Sequence, residues 1–182
     1  MSLSDEYEPE IIAALDLGSN SFHMVVATSH DGRFKIIDRL REMVRISAGL
    51  NSSQELDKEA MQRAIACLER FGQRLRDMHA GSVRAIGTNA LRQAKNSRKF
   101  LKAGQAALGH PIEIISGIEE ARLIYQGTTY AISRPNDRRI VVDIGGGSTE
   151  IIVGEGMQPL KMESLFMGCV SMSERFFTNG KV

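Results

Sequence analysis

Apolar positions along this chain change period several times. Runs of strand length occupy residues 11–17, 22–28 and 34–40. The small-residue turn Gly18-Ser19-Asn20-Ser21 joins the first two, and turn chemistry at His30-Asp31-Gly32-Arg33 joins the last two. After a polar stretch ending near Gln54, Met61, Ala64, Ile65, Leu68, Phe71, Leu75 and Met78 recur at steps of three and four. That spacing predicts a helix from a cap at Asp57 to about His79. Residues 83–86 predict a short strand, and residues 96–108 a helix closed by Gly109-His110-Pro111. A strand over 112–115 and a helix over 117–130 follow.

Ser133-Arg134-Pro135-Asn136-Asp137-Arg138-Arg139 reads as a linker, and a second round begins beyond it. Strands are predicted at 140–144, 149–153 and near 160–165, with a turn at Gly154-Glu155-Gly156. A helix starting around Ser171 holds Met172 and Phe176. The two rounds are in register. At a constant offset of 127 residues, Asp16 matches Asp143, Gly18 matches Gly145, Ser21 matches Ser148 and Val26 matches Val153. Each copy is an apolar run, an Asp, a small-residue turn and a second apolar run. The pattern predicts a duplicated lobe, the first over 1–132 and the second begun at 133 and incomplete at 182. The chain is therefore expected to be an N-terminal portion of a longer protein; the alternative is that 133–182 form a small complete cap.

Composition narrows the picture. The chain has 182 residues, is 42% hydrophobic and 25% charged, and carries a net charge of +1, as a soluble globular protein does and a generic nucleic-acid coat does not. The four His show no metal-ligand spacing. Cys67 and Cys169 lie too far apart in sequence for a CxxC site and suit a reducing cytoplasm. The start is acidic rather than signal-like, and no apolar run approaches the ~20 residues of a spanning helix.

Candidate chemistry gathers at the two turns. Backbone N–H groups of small residues converge on anions, and hydroxyls add donors; plain hairpin turns favour the same residues. Gly145-Gly146-Gly147-Ser148-Thr149-Glu150 is not a dinucleotide fingerprint, because Glu150 stands at the third glycine and an apolar strand follows, and the chain has no P-loop. Asp16 and Asp143 close strands expected to be buried. There they suit either Mg²⁺ beside substrate phosphates or a turn-initiating hydrogen bond. Ser116 and Glu119 form a predicted capping box, leaving Glu120 in the first helical turn, either to activate water or to complement the helix dipole. Glu150 alternates onto the face opposite Thr149 and Ile151. Arg84, Arg92, Lys95, Arg98, Lys99 and Lys102 concentrate positive charge, mostly as a solvated helix face; Arg92, just past a strand end, is the ligand candidate.

Taken together, Asp16-Leu17-Gly18-Ser19-Asn20-Ser21-Phe22-His23-Met24, Asp143-Ile144-Gly145-Gly146-Gly147-Ser148-Thr149-Glu150, Thr88-Asn89-Ala90-Leu91-Arg92, Ile115-Ser116-Gly117-Ile118-Glu119-Glu120-Ala121-Arg122 and Met167-Gly168-Cys169-Val170 resemble the exopolyphosphatase/guanosine pentaphosphate phosphatase family. The resemblance implies an α/β, actin-like (ribonuclease H-like) lobe with a mixed five-stranded sheet and flanking helices, followed by the start of a similar lobe. It implies Glu120 as the catalytic carboxylate and Asp143 and Glu150 as metal and water-positioning groups; together with the reading of the residues, Glu120 and Glu150 are expected to be catalytic and Asp143 and Asp16 to hold metal. Gly18, Ser19, Asn20, Ser21, Arg92, Gly145, Gly146, Gly147 and Ser148 would cradle phosphate. It further implies Mg²⁺, a homodimer when full length, and inorganic polyphosphate as substrate, with guanosine pentaphosphate hydrolysis or non-hydrolytic alarmone sensing as alternatives. Leu123-Ile124-Tyr125-Gln126-Gly127 and Ser173-Glu174-Arg175-Phe176 suit the guanosine branch at least as well. Alone, the chain is expected to be weakly active or inactive.

Overall fold

The computed structural model describes residues 10–30, 32–132 and 136–177. Asp31 of the second turn and residues 133–135 of the linker lie outside them. Strands β1 (Glu10–Leu17), β2 (Phe22–His30) and β3 (Arg33–Glu42) form an antiparallel meander. β4 (Val83–Gly87) adds parallel to β1, and β5 (Ile112–Ile114) parallel to β4, giving the order β3-β2-β1-β4-β5. This is the mixed five-stranded actin-like sheet. Helices α1 (Lys58–Leu75) and α3 (Ser97–Leu108) pack on one another and cover it. Asp57 caps α1 by accepting from Ala60 N–H at 2.7 Å. The stripe Met61, Ala64, Leu68, Phe71 and Leu75 joins Leu15, Leu17, Phe22 and Met24 in one buried core. The helix stops at Leu75, short of the expected His79, and Met78 N–H turns back onto the Leu75 carbonyl.

The second round repeats the meander: β6 (Arg138–Ile144), β7 (Thr149–Glu155) and β8 (Gln158–Leu165) are antiparallel in that order. Helix α4 (Gly117–Tyr130) precedes this sheet in sequence yet packs on β7 and β8. Ala121 and Tyr125 meet Ile152 there in a small buried cluster. The Tyr125 hydroxyl donates to the Gly156 carbonyl at 3.0 Å. A Cβ on Gly154 would lie 2.3 Å from that ring, so the turn expected at residues 154–156 instead begins with a strand residue that must be glycine. The reversal itself sits at Gly156–Met157, with Gly156 at φ 57°.

Three expectations need correction. The strand carrying Asp143 is not buried: Ile140 is 70% and Ile144 67% exposed, and among the described residues β7 alone pairs with β6 and little covers its faces. The last helix, α5 (Cys169–Phe176), starts before Ser171, and a five-residue helix, α2 (Asn89–Gln93), stands where none was expected. Among the described residues no helix is long and apolar enough to cross a membrane.

Gly154→Ala is expected to lower unfolding free energy by about 1–3 kcal/mol, since the β-carbon meets an aromatic ring and the Gln158 carbonyl. Tyr125→Phe, which loses only the hydrogen bond, is expected to cost about 1 kcal/mol. Urea titration of both variants measures the difference, and equal costs would count against the close-packing account.

Candidate active site

The in-register repeat brings both turns to one cleft. Cross-strand pairing sets Asp16 opposite His23 in the first hairpin and Asp143 opposite Glu150 in the second. The first turn (Gly18, Ser19, Asn20, Ser21) and the second (Gly145, Gly146, Gly147, Ser148) line a cavity of about 160 Å³ with Asp16, Asp143, Glu120 and Glu150. Among the described residues, the N–H groups of Ser19, Asn20, Ser21, Gly146, Gly147 and Ser148 meet no protein acceptor. Such unpartnered amides are the donors an anion requires.

The carbonyl sides of the same turns are tied down. Arg45 N–H donates to the Asn20 carbonyl at 2.8 Å and Ser47 N–H to that of Ser19 at 3.1 Å. On the second turn, Cys169 N–H donates to Gly145 at 2.9 Å, and Val170 and Ser171 N–H donate to Gly146 at 3.0 and 3.1 Å. These are orphan donors of the first turn of α5. Gly168, just before that helix, touches the turn so closely that a Cβ would lie 2.4 Å from both Gly146 C and Gly147 N.

Glu120 is held in the first turn of α4, whose cap Ser116 accepts from Glu119 N–H at 3.1 Å. The capping box forms in one direction only. The Glu119 carboxylate is gripped at 2.7 Å by both Nε and Nη2 of Arg122, which holds it below the usual carboxylate range. Glu120 is not the free surface group expected of a helix start. Its side chain is 15% exposed, and Arg92 Nη1 donates to it at 3.2 Å and to the Ile115 carbonyl at 2.9 Å. Burial and the neighbouring Glu150 nevertheless outweigh Arg92 and push the Glu120 carboxyl up to about 7. Asp16 is pushed up to about 6, mostly by desolvation and then by Asp143. By surface area Asp16 is still exposed to solvent at the cleft.

Glu150 is 1% exposed and accepts from Ser164 Oγ at 2.7 Å. It lies on the face of β7 that α4 covers, as the alternation predicts, and so faces Glu120. Arg92 does not line the cavity; it stands behind Glu120. Arg84 is paired with Glu113 and Glu119, while Lys95, Arg98, Lys99 and Lys102 are exposed, the solvated face expected of them.

Three lining residues escaped sequence reasoning: His23, Thr88 and Asn89. Thr88 and Asn89 are buried polar residues at the start of α2. His23 shares a 2.8 Å hydrogen bond with Ser21, and desolvation, then Arg41, lower its pKa. The signal was present, because His23 stands 127 residues before Glu150, at the offset of the repeat itself. Among the described residues no group of three or more His, Cys, Asp or Glu side chains is close enough to hold a metal ion unaided. Asp143 is close enough to Asp16 to add to the burial that raises the Asp16 carboxyl, and two carboxyl groups so placed suit an ion that also takes water and phosphate oxygens.

Residues 25–182 match the Ppx/GppA phosphatase family. The chain is 49% identical over 167 residues to the guanosine-5′-triphosphate,3′-diphosphate pyrophosphatase of Vibrio vulnificus, covering 92% of this chain and 33% of that protein. The solved Aquifex aeolicus PPX-GPPA enzyme is 30% identical with a TM-score of 0.78, over 91% of this chain and 55% of that one. An exopolyphosphatase from Cytophaga hutchinsonii is 28% identical with a TM-score of 0.85, over 92% and 54%. The chain thus spans about a third of its curated relative and just over half of these solved chains. With the family match running through the second turn, both Glu120 and Glu150 and the clamp at Gly168, this chain belongs to the Ppx/GppA phosphatase family.

Proposed function

We propose that this chain carries the water-activating cleft of a phosphohydrolase that removes the terminal phosphate of guanosine 5′-triphosphate 3′-diphosphate. The observation that carries the reading is the pair of turns with unpartnered N–H groups lining one small cavity with Glu120, whose carboxyl is raised to about 7. A base with a proton affinity near the working pH is suited to taking a proton from water. The 49%-identical relative acts on that guanosine compound, which favours this substrate over inorganic polyphosphate, the first expectation from sequence. Polyphosphate remains the second reading, favoured by the solved relative described as an exopolyphosphatase.

In the proposed reaction the two turns hold the terminal phosphoryl group by its nonbridging oxygens. Glu120 accepts a proton from a water as the water oxygen bonds to phosphorus. The bridging P–O bond breaks, its electron pair leaves with the shortened phosphate chain, and orthophosphate is released. Amides fixed before the reaction stabilise the charge that develops without reorganising. Arg92 keeps the Glu120 carboxyl aimed, and Ser164 fixes Glu150 beside it. Asp16 and Asp143 would hold Mg²⁺, which supplies neutralisation of phosphate charge when bound.

Orthophosphate release by the intact protein with Mg²⁺, on guanosine pentaphosphate and on long-chain polyphosphate in parallel, tests the reading. Glu120→Gln is expected to lower the rate by about 10²–10⁴-fold. Tight binding without release from either substrate would overturn it in favour of a sensor.

A stability measurement checks the electrostatics separately. The folded-state proton affinity of Glu120 is raised, so the folded chain holds a proton that the unfolded chain has lost between pH 4.5 and about 7. Stability therefore falls as pH rises through that window. In metal-free buffer, Glu120→Gln is expected to gain thermal stability relative to the parent from pH 4.5 to 7 and to gain no more above it. A pH-independent difference in Tm would remove the case for a raised carboxyl.

A further inference from the structure

A second cavity of about 520 Å³ adjoins the cleft, and Asn89, Gly146 and Gly147 line both. Its walls come from the loop before α1, from α2 and from α5. Its chemistry differs from that of the cleft. Among the described residues no Lys or Arg lines it, and the one charged lining residue is Glu174 of α5. Asn51, Gln54 and Gln93, which carry carboxamides, and Phe166, which is 71% exposed, line the same cavity.

Several of these groups are pre-set. Gln93 Nε2 donates to Asn89 Oδ1 at 2.8 Å, which leaves Gln93 Oε1 as an acceptor. Asn51 Oδ1 accepts from Ser53 and Glu55 N–H at 2.9 Å, leaving its amide nitrogen as a donor. Gln54 is held at φ 60°, a left-handed backbone rarely adopted outside glycine, by hydrogen bonds to Asn51 and Lys95. Glu174 has no ion-pair partner among the described residues.

A polyanion would gain nothing here, since it would meet a carboxylate and no cation. A purine base fits the inventory. It is planar and apolar on its faces, which suits an exposed aromatic ring, and it is read through its edge by carboxamides. The carboxylate selects among bases. Guanine presents two adjacent donors, N1–H and the 2-amino group, to which both oxygens of one carboxylate can accept. Adenine pairs a donor with a ring acceptor at that edge, and the acceptor would be repelled.

We propose that this cavity is a guanine-base subsite in which Glu174 accepts from N1–H and the 2-amino group while the phosphates of the same nucleotide enter the adjoining cleft. The proposal rests on the phosphohydrolase reading for which end of the nucleotide enters the cleft, and it assigns the base recognition that reading leaves open.

Equilibrium binding to the intact protein tests it, so that base recognition is scored whether or not phosphate is released. Guanosine pentaphosphate is compared with its hypoxanthine and adenine counterparts, the first of which lacks only the 2-amino group. The parent protein is expected to bind the guanine compound about tenfold or more tightly than either, the scale of hydrogen bonds to a charged group. Glu174→Gln is expected to reduce that preference to about twofold. No preference in the parent protein, or a preference that survives Glu174→Gln intact, would overturn the subsite. Phosphate release without base discrimination would refute this inference alone. Base discrimination without release would refute the hydrolase reading and leave the subsite standing.

Discussion

The site depends on how the carbonyl sides of two turns are occupied. A glycine-rich turn exposes donors and acceptors alike, and unless its carbonyls are satisfied elsewhere it has no fixed polarity toward a ligand. Here residues 45–47 cover the carbonyls of the first turn and the opening of α5 covers those of the second. The clamps come from different structures, a bend before α1 in one case and a helix N-terminus in the other. The outcome is the same: carbonyls bound behind and amides available in front. Gly168 matters for this reason, because any side chain there would lift α5 off the backbone it holds.

The second arrangement set by the fold is the seat of α4. It leaves the first sheet at the end of β5 and lays its apolar face on β7 and β8. That choice brings Glu120 against Glu150 while Arg92, from the first sheet's side, reaches across to it. Burial there, and then Glu150, raise the Glu120 carboxyl against the pull of Arg92, so the elevation comes from the packing around the helix.

Much of this was legible in the sequence, and the failures have physical causes. Both hairpins and the long helices follow from period and turn chemistry, and the 127-residue offset located both turns. Helix α2 is too short, at five residues, to show a period. The apolar run at 140–144 announces a strand but cannot say whether anything covers its faces, and in this chain little does. Arg92 and Glu120 are 28 residues apart, and no local rule pairs them. The Ser164 hydroxyl reaches Glu150 only because of the β7–β8 register, which is fixed across a turn displaced from its expected place. His23 could have been found by extending the repeat two more positions.

The hairpins share one pattern, but the two residues that face their Asp partners differ in kind. A cleft built from two identical halves would look the same to a ligand from either side and would have no head or tail. With an imidazole at His23 and a buried carboxyl group at Glu150, the halves differ in chemistry at equivalent positions. The repeated pattern supplies the pair of amide-lined turns; the difference between His23 and Glu150 helps to give the cleft a direction.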